Sequence, residues 1–481
     1  MKKNLILPGF SKLLGGRGKK SALEVLGERI EALRMASTSQ LESLFEALIP
    51  VHLFEGVDQR ERKYPARVVF WAFFSQVLSE GRSQGSLRHA LRQIQSYRGT
   101  KESTNTSALC KARKRLPMKL LESINERVLN HLQCNEMKLQ GFGNRRVLLI
   151  DRTHLRAPDS ADNQHVFPQN ARCGKGCGFP EVCVTAMFDL IRGAWLKSSI
   201  TDSSVWEGNA AMIDLLPDLH KGDIVVMDRL YQSYAILVSV LEQKADFVVR
   251  AKEQNLANYE VVKSLNRNDR IIRLKRPQNR NELFQETWGD FPKEQRVRLV
   301  SQKGYDRDGK PVIIHLMTSL LDAELYPLES LMWLYKRRWR IEISFRDVKV
   351  TMGLEALRTQ SAEMIQKEIL MYQIAYNLIR SIHLEVYKTY GVAIDRLSVK
   401  GTIDTLLSHA HLFHRFRLHP LKLRVVREQV LELVARDKIP KRKERWEPRV
   451  RKHRNRGKTW MTRPRQAYKT EREINLKNAL S

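Results

Sequence analysis

The chain has 481 residues, with 84 Lys and Arg against 53 Asp and Glu, a formal net charge of +31. That length can bury a large core and predicts about two to four domains. The charge predicts a polyanionic partner, nucleic acid before a membrane surface, and no run of about 20 apolar residues is present to cross a bilayer.

The N-terminal MKKNLILPGFSKLLGG is basic and then apolar, but Pro8, Gly9, Gly15 and Gly16 interrupt it too early for a signal peptide. A cytoplasmic protein working at DNA is the expected placement. Cys110, Cys134, Cys173, Cys177 and Cys183 are odd in number and irregular in spacing. Cys173, Cys177, Cys183 and His165 could be imagined around zinc, but reduced thiols are the better reading.

Residues 1–140 read as helical. SALEVLGERIEAL, SQLESLFEAL, ARVVFWAFFSQVL, SLRHALRQIQ and MKLLESINERVL place apolar residues at helical spacing. SALCKARKRLP is a short basic helix stopped before Pro117. Its Lys111, Arg113, Lys114 and Arg115 are candidates for contact with a DNA backbone.

The pattern changes at RRVLLID. Val147 to Ile150 form a continuous apolar run, typical of a buried strand, and Asp151 stands at its end. The arrangement recurs in GDIVVMDR, where Ile224 to Met227 precede Asp228. Between them, EVCVTAMFDL and GAWLKSSITD predict a hairpin about Arg192-Gly193. NAAMIDLLPDL and YQSYAILVSVLEQ predict helices, and ADFVVRAK a further strand. Two acids at strand ends sit where α/β sheets place their ligands. Asp189, Asp202 and Asp223 are rival acids, but Asp189 suits the hairpin turn and Asp223 the start of a strand.

Residues 253–325 read as β. NDRIIRLKRP and EQRVRLVSQKGYDRDGKPVIIHLMTS carry strand patterns, with a turn at Arg307-Asp308-Gly309. Trp288 in ETWGDFP could stack on a displaced base, although a place on the surface or in a small core suits it better.

The stretch YKRRWRIEISFRDVK, Tyr335 to Lys349, predicts a helix. At about 100° per residue, Tyr335, Arg338, Glu342 and Lys349 fall on one face roughly 60° wide, and Asp347 points elsewhere. A hydroxyl, two cations and a carboxylate on one face suit a phosphodiester: cations hold phosphate oxygens and the carboxylate helps hold a metal. The plainer alternative is a solvated helix with charge pairs. LKLRVVREQVLELVARD then predicts a short helix. Residues 441–481 hold fifteen Lys or Arg against four Glu, and read as a disordered basic tail or loosely folded arm that contacts DNA without sequence preference.

Tyr335, Arg338, Glu342 and Lys349 match, without a gap, the Y-x2-R-x3-E-x6-K signature of bacterial insertion-sequence transposases of the IS4 type, relatives of the Tn5 and Tn10 transposases. The following MGLEALRTQSAEMIQKEILMYQIAYNLIRS also resembles that family. DRTHLRAPD resembles the family's D-G-T…P-D block through Asp151, Thr153, Pro158 and Asp159, with Arg152 replacing the usual glycine. GDIVVMDRLYQSYAIL resembles the second block through Gly222, Asp223, Asp228 and Arg229, and departs from it at Leu230-Tyr231-Gln232.

The resemblance implies an α/β fold: an RNase H-like catalytic core with a β insertion, preceded by a helical N-terminal DNA-binding domain. The expected boundaries are 1–140 for the helical domain, 141–252 for the first part of the core and 253–325 for the insertion. The second part of the core would run over 326–415 and the basic C-terminal segment over 416–481. It implies Asp151, Asp228 and Glu342 as catalytic metal ligands for two Mg²⁺ or Mn²⁺ ions. Tyr335, Arg338, Lys349 and Arg229 would be DNA contacts. It also implies double-stranded DNA, element ends and target, as partner, a homodimer in the paired-end complex, and no membrane. A hydrolysis-only nuclease of the same fold, or an inactive or domesticated DNA-binding derivative, are the alternatives.

Overall fold

A computed structural model of the chain describes residues 41–79, 87–98, 105–134, 137, 139, 141–174, 176–278, 288–305, 311–440 and 462–480. The chain divides into two compact units, Met1–Leu120 with Asp404–Val430, and Leu121–Ile403 with Leu431–Ser481. The helix expected at 21–33 and the turn at Arg307-Asp308-Gly309 lie outside the described residues.

The first unit holds helices α1 (Glu42–Phe45), α2 (Ala66–Leu78), α3 (Leu87–Arg98) and α4 (Ser107–Arg115). Helix α2 is apolar on nearly every side, so it can only be a central helix. Phe70, Trp71, Phe73 and Phe74 are each at most 2% exposed. Trp71 meets Phe70 and Phe74 edge to face at 5.1 and 5.3 Å between ring centres, the geometry that aromatic quadrupoles favour.

The second unit opens with α5 (Met118–Gln133) and is built on one mixed sheet of nine strands. In chain order these elements are β1 (Val147–Arg156), α6 (Ala161–Val166), β2 (Glu181–Asp189), β3 (Trp195–Thr201), α7 (Glu207–Asp214), β4 (Ile224–Met227), α8 (Tyr234–Glu242) and β5 (Asp246–Arg250). Strands β6 (Glu260–Asn266), β7 (Asp269–Lys275), β8 (Glu294–Tyr305) and β9 (Pro311–Thr318) follow. The sheet order is β3-β2-β1-β4-β5-β9-β8-β7-β6. β1, β2 and β3 form an antiparallel meander, while β4 lies parallel to β1, and β5 to β4. This five-strand half is the RNase H-like core. The predicted β insertion supplies β6 to β9 and joins the same sheet, through antiparallel pairing of β9 on β5.

The apolar runs explain the order. All of β4 and Val182–Asp189 of β2 are buried, as strands covered on both faces must be. The hairpin between β2 and β3 turns at Gly193, whose φ of 65° is in the left-handed region. Asp189 holds that turn by accepting from the amides of Ile191 and Arg192, both at 2.8 Å.

After β9 come α9 (Leu328–Lys336), α10 (Arg340–Arg346) and the long α11 (Ala362–Tyr390). Buried Asn377 of α11 fixes Trp195 of β3 on both its backbone groups, at 2.9 Å each. α12 (Val399–Arg415) and α13 (Pro420–Arg436) follow, then α14 (Arg465–Leu480). The last corrects the reading of 441–481 as disordered or loose throughout. Its sequence is rich in Arg, Lys, Glu, Gln, Leu and Ala, which favour helix even without an apolar stripe; residues 441–461 lie outside the described set.

Candidate active site

Strand pairing sets the first two acids. Val147–Ile150 of β1 run in register with Ile224–Met227 of β4, the last pair being Ile150 and Met227. Asp151 and Asp228 are each the next residue, side by side where β4 stops. Asp151 is not at its strand's end, as the apolar run predicted. β1 continues to Arg156, paired with β2 and, at Arg156, with an isolated parallel bridge to Ala356. The run ended because cover from β4 ended. Asp228 leaves the sheet and caps the single 3₁₀ turn Arg229–Tyr231, its Oδ1 accepting from the Leu230 amide at 3.2 Å.

The third acid comes from the predicted helix, which is not uniform. α9 ends at Lys336, a 3₁₀ turn covers Arg337–Trp339, α10 follows, and Asp347–Thr351 form a π turn. Such local changes of pitch recur at functional sites. The constant 100° step therefore fails toward Lys349, but it holds from Arg338 to Glu342. The Arg338 guanidinium stands between two of the acids: Nη1 is 3.4 Å from Asp151 Oδ2 and Nη2 is 3.5 Å from Glu342 Oε1. Its side chain is 9% exposed, against 22% for Asp151 and 43% for Glu342. The carboxylates thus face solvent while the arginine is seated behind them. Asp347 points away, as expected, toward Arg346 and Arg380.

The site is electronegative at its centre. Burial, and then the charges of Asp228 and Glu342, push the Asp151 carboxyl up to about 6 against the pull of the Arg152 amide and Arg338. Burial disfavours the Arg338 cation, but Tyr335, Asp151, Asp228 and Glu342 together hold its pKa above the usual value. Among the described residues, no group of three or more His, Cys, Asp or Glu side chains is preassembled to hold a metal ion. Mg²⁺ needs none: it is bound by one or two carboxylates with waters and substrate phosphates. An oxygen-only donor set suits Mg²⁺ or Mn²⁺ and disfavours zinc.

The other predicted contacts divide. Tyr335 lies beside the site, its ring centre 6.0 Å from the Arg338 guanidinium carbon, and burial raises its phenol pKa. Lys349 is farther along β1, where Nζ donates to the His154 carbonyl at 2.9 Å. Arg229 is exposed immediately after Asp228. In the first unit Lys111, Lys114 and Arg115 are exposed on α4. Arg113 is half-buried and stacks 4.0 Å over the Phe73 ring. Trp288 is 7% exposed, packs on Phe291 and donates to the Pro277 carbonyl at 3.3 Å, which makes it part of a small core. Asp223 is paired with Arg146, and Asp202 accepts from the Ser204 amide.

Two neighbours escaped the sequence reading. Arg152, where the resembling block has glycine, donates to Thr185, Thr201 and the Val205 carbonyl, the last at 2.7 Å. Glu207, at the start of α7, feels the charges of both Asp151 and Asp228. An acid in a helix's first turn is so common that nothing in its local sequence marked it.

Residues 143–378 match the family model described as "Transposase DDE domain". The transposase InsG for insertion sequence element IS4, from Escherichia coli (strain K12), is 25% identical over 362 residues, covering 74% of this chain and 78% of that protein. Among solved structures, the cryo-EM structure of the piggyBac transposase synaptic complex with hairpin DNA aligns with a TM-score of 0.41 at 12% identity, over 86% of this chain and 88% of that one.

Proposed function

We propose that the chain is a DDE transposase of the IS4 type, a reading supported by the transposase DDE domain matched over residues 143–378 and by the similarity to the IS4 transposase, and that Asp151, Asp228 and Glu342 are its catalytic acids. The observation that carries this assignment is the Arg338 bridge, which draws the acid of β1 and the acid of α10 to one guanidinium beside the end of β4.

Divalent cations, two Mg²⁺ or Mn²⁺ in this reading, activate the attacking oxygen, stabilise the leaving oxygen and neutralise charge on the phosphodiester when bound. Asp151, at the centre of the acids, would serve both, with Asp228 and Glu342 on either side. Arg338 presents a rigid fork to the phosphate. Tyr335 and Lys349 extend the grip on the backbone, and exposed Arg229 adds a cation next to Asp228. The protein would bind the terminal repeats of its element, hydrolyse the DNA at each end to release a 3′-OH, and direct that 3′-OH at target DNA. Each step exchanges one bond at phosphorus, so no covalent enzyme intermediate is required. The net charge of +31 suits a partner of this kind.

In this reading two copies pair the two ends, in the cytoplasm of a bacterium, and residues 1–140 form the end-binding domain. Lys111, Lys114 and Arg115 would touch phosphates there. The core would occupy 141–252 and 326–415, interrupted by the insertion at 253–325 and followed by the basic segment at 416–481. A paired-end assay with labelled target DNA tests the reaction. Joined products in Mg²⁺ are expected; cleaved ends that never join would leave a hydrolysis-only nuclease.

A further inference from the structure

We propose that Arg380 and Asp347 are a positioning pair for the reaction: Arg380, from α11, holds Asp347 and with it the π turn that sets Glu342 and Lys349 relative to one another. The inference rests on the catalytic reading above.

The π turn is the part of this helix that needs holding. The Asp347 carbonyl accepts from the Met352 amide, five residues on, at 2.9 Å, and such turns are rare without support from their surroundings. Glu342 lies five residues before Asp347 and Lys349 two after it. A change of pitch at Asp347 therefore rotates Lys349 about the helix axis relative to Glu342.

Asp347 is gripped on both oxygens. Arg346 Nη2 stands 3.7 Å from Oδ1, and Arg380 Nη2 stands 3.9 Å from Oδ2. The Arg346 side chain is 45% exposed and that of Arg380 only 8%, so Arg380 supplies the buried half of the grip. A pair kept from water is screened much less than an exposed one.

Arg380 is itself fixed. Nη2 donates to the Tyr376 hydroxyl at 2.5 Å and Nη1 to His383 Nδ1 at 3.2 Å. An arginine can only donate, so His383 offers a lone pair at Nδ1 and carries its proton on Nε2. That proton goes to the Thr402 hydroxyl at 2.9 Å, which passes its own to the Ser398 carbonyl at 2.8 Å. Burial and the Arg380 charge both keep His383 neutral. The β2–β3 turn closes the remaining side: a Cβ at Gly193 would lie 3.1 Å from the guanidinium carbon. Phe188 of β2 meets Tyr376 and Phe345 of α10 edge to face, at 6.0 and 5.5 Å between ring centres, which ties this frame to the helix of Glu342.

Stability alone does not account for the pair. Replacing a buried ion pair by packed apolar residues is often neutral or stabilising, and fixing register is its best-attested use. Arg380 Nε is buried with no hydrogen-bond partner, which adds to the cost.

The test is cleavage of end DNA by the full-length protein at saturating DNA and Mg²⁺, with a gel-shift of the same DNA and the melting temperature of each variant. Parent, Asp347→Asn, Arg380→Met, the double variant and Glu342→Ala are compared. Each single change at the pair is expected to slow cleavage at least about tenfold, since a misplacement of about 1 Å can cost on the order of a hundredfold. Affinity for the ends should stay within about twofold of the parent, the split expected when only the reacting geometry is lost. The double variant should be no slower than the worse single, because both changes cut the same link. Should Arg380→Met not fold, Asp347→Asn and Tyr376→Phe, which keeps the ring, carry the test with the same expectation. Parent-like cleavage by folded Asp347→Asn, or losses that multiply in the double variant, would overturn the pair. So would affinity and cleavage falling together with a lower melting temperature, the mark of a merely structural contact. These outcomes leave the catalytic reading standing while Glu342→Ala is inactive; cleavage by Glu342→Ala at the parent rate would overturn that reading instead.

Discussion

At the scale of the residue, the arginine and the glutamate of one helix face should fail in opposite ways. Arg338 touches Asp151 and Glu342, but it is not a metal ligand. Arg338→Lys keeps the charge and loses the fork. It is expected to weaken cleavage and the paired-end complex about tenfold or more, as the loss of one charge-assisted hydrogen bond would, while the Mg²⁺ dependence stays near that of the parent. Glu342→Asp should hold DNA normally and require more Mg²⁺, because the shortened carboxylate draws back from the ion. A Mg²⁺ titration of cleavage beside a paired-end assembly assay separates the two; parent-like behaviour in both would remove this helix from the site. The three acids were legible in sequence because two follow apolar runs and the third shares a helical face with Arg338. Their convergence was not. The contact of Arg338 with Asp151 spans 187 positions, and such a pairing exists only once the helix is folded onto the sheet.

At the scale of the element, β patterns and helical periods located nearly every strand and helix of the core. Their ends and continuations were harder to read. β1 outruns its apolar stretch because only one neighbour strand continues beside it, so its later residues alternate in burial. The 335–349 helix changes pitch three times, which residue spacing cannot register. The insertion was legible as β but not as an extension of the same sheet, since its pairing with β5 is a tertiary choice. A buried ion pair anchors that extension. Arg298 of β8 holds Asp269 of β7 through Nε at 2.8 Å and donates to the Tyr326 carbonyl at 2.7 Å, with 0% of the arginine side chain exposed. Asp269→Ala would leave a buried cation without its counter-charge, at a cost of about 3–5 kcal/mol. Urea unfolding should show that loss; a change under about 1 kcal/mol would mean that the carbonyl contacts of Arg298 alone hold β8 against the segment that leads to α9.

At the scale of the whole molecule, charge is what the composition conveyed most plainly. The +31 is spread over both units, and residues 441–481 alone carry +11, fifteen cations less four acids. If several of those cations meet phosphates, deleting the segment should make log affinity against log salt shallower by about 0.9 for each lost contact, equally for element ends and random duplex. An unchanged salt slope would show that the segment does not touch DNA. No helix among the described residues is long and apolar enough to cross a membrane. The central claim is that Asp151, Asp228 and Glu342 act together as metal ligands at the cut. Its most direct test measures cleavage of end DNA in Mg²⁺, beside a gel-shift of the same DNA, for Asp151→Ala, Asp228→Ala and Glu342→Ala. The account predicts that each variant binds the ends at least as well as the parent, having lost a negative charge, and cleaves none of them. Parent-like cleavage by any one of the three would remove that residue from the site and contradict the account.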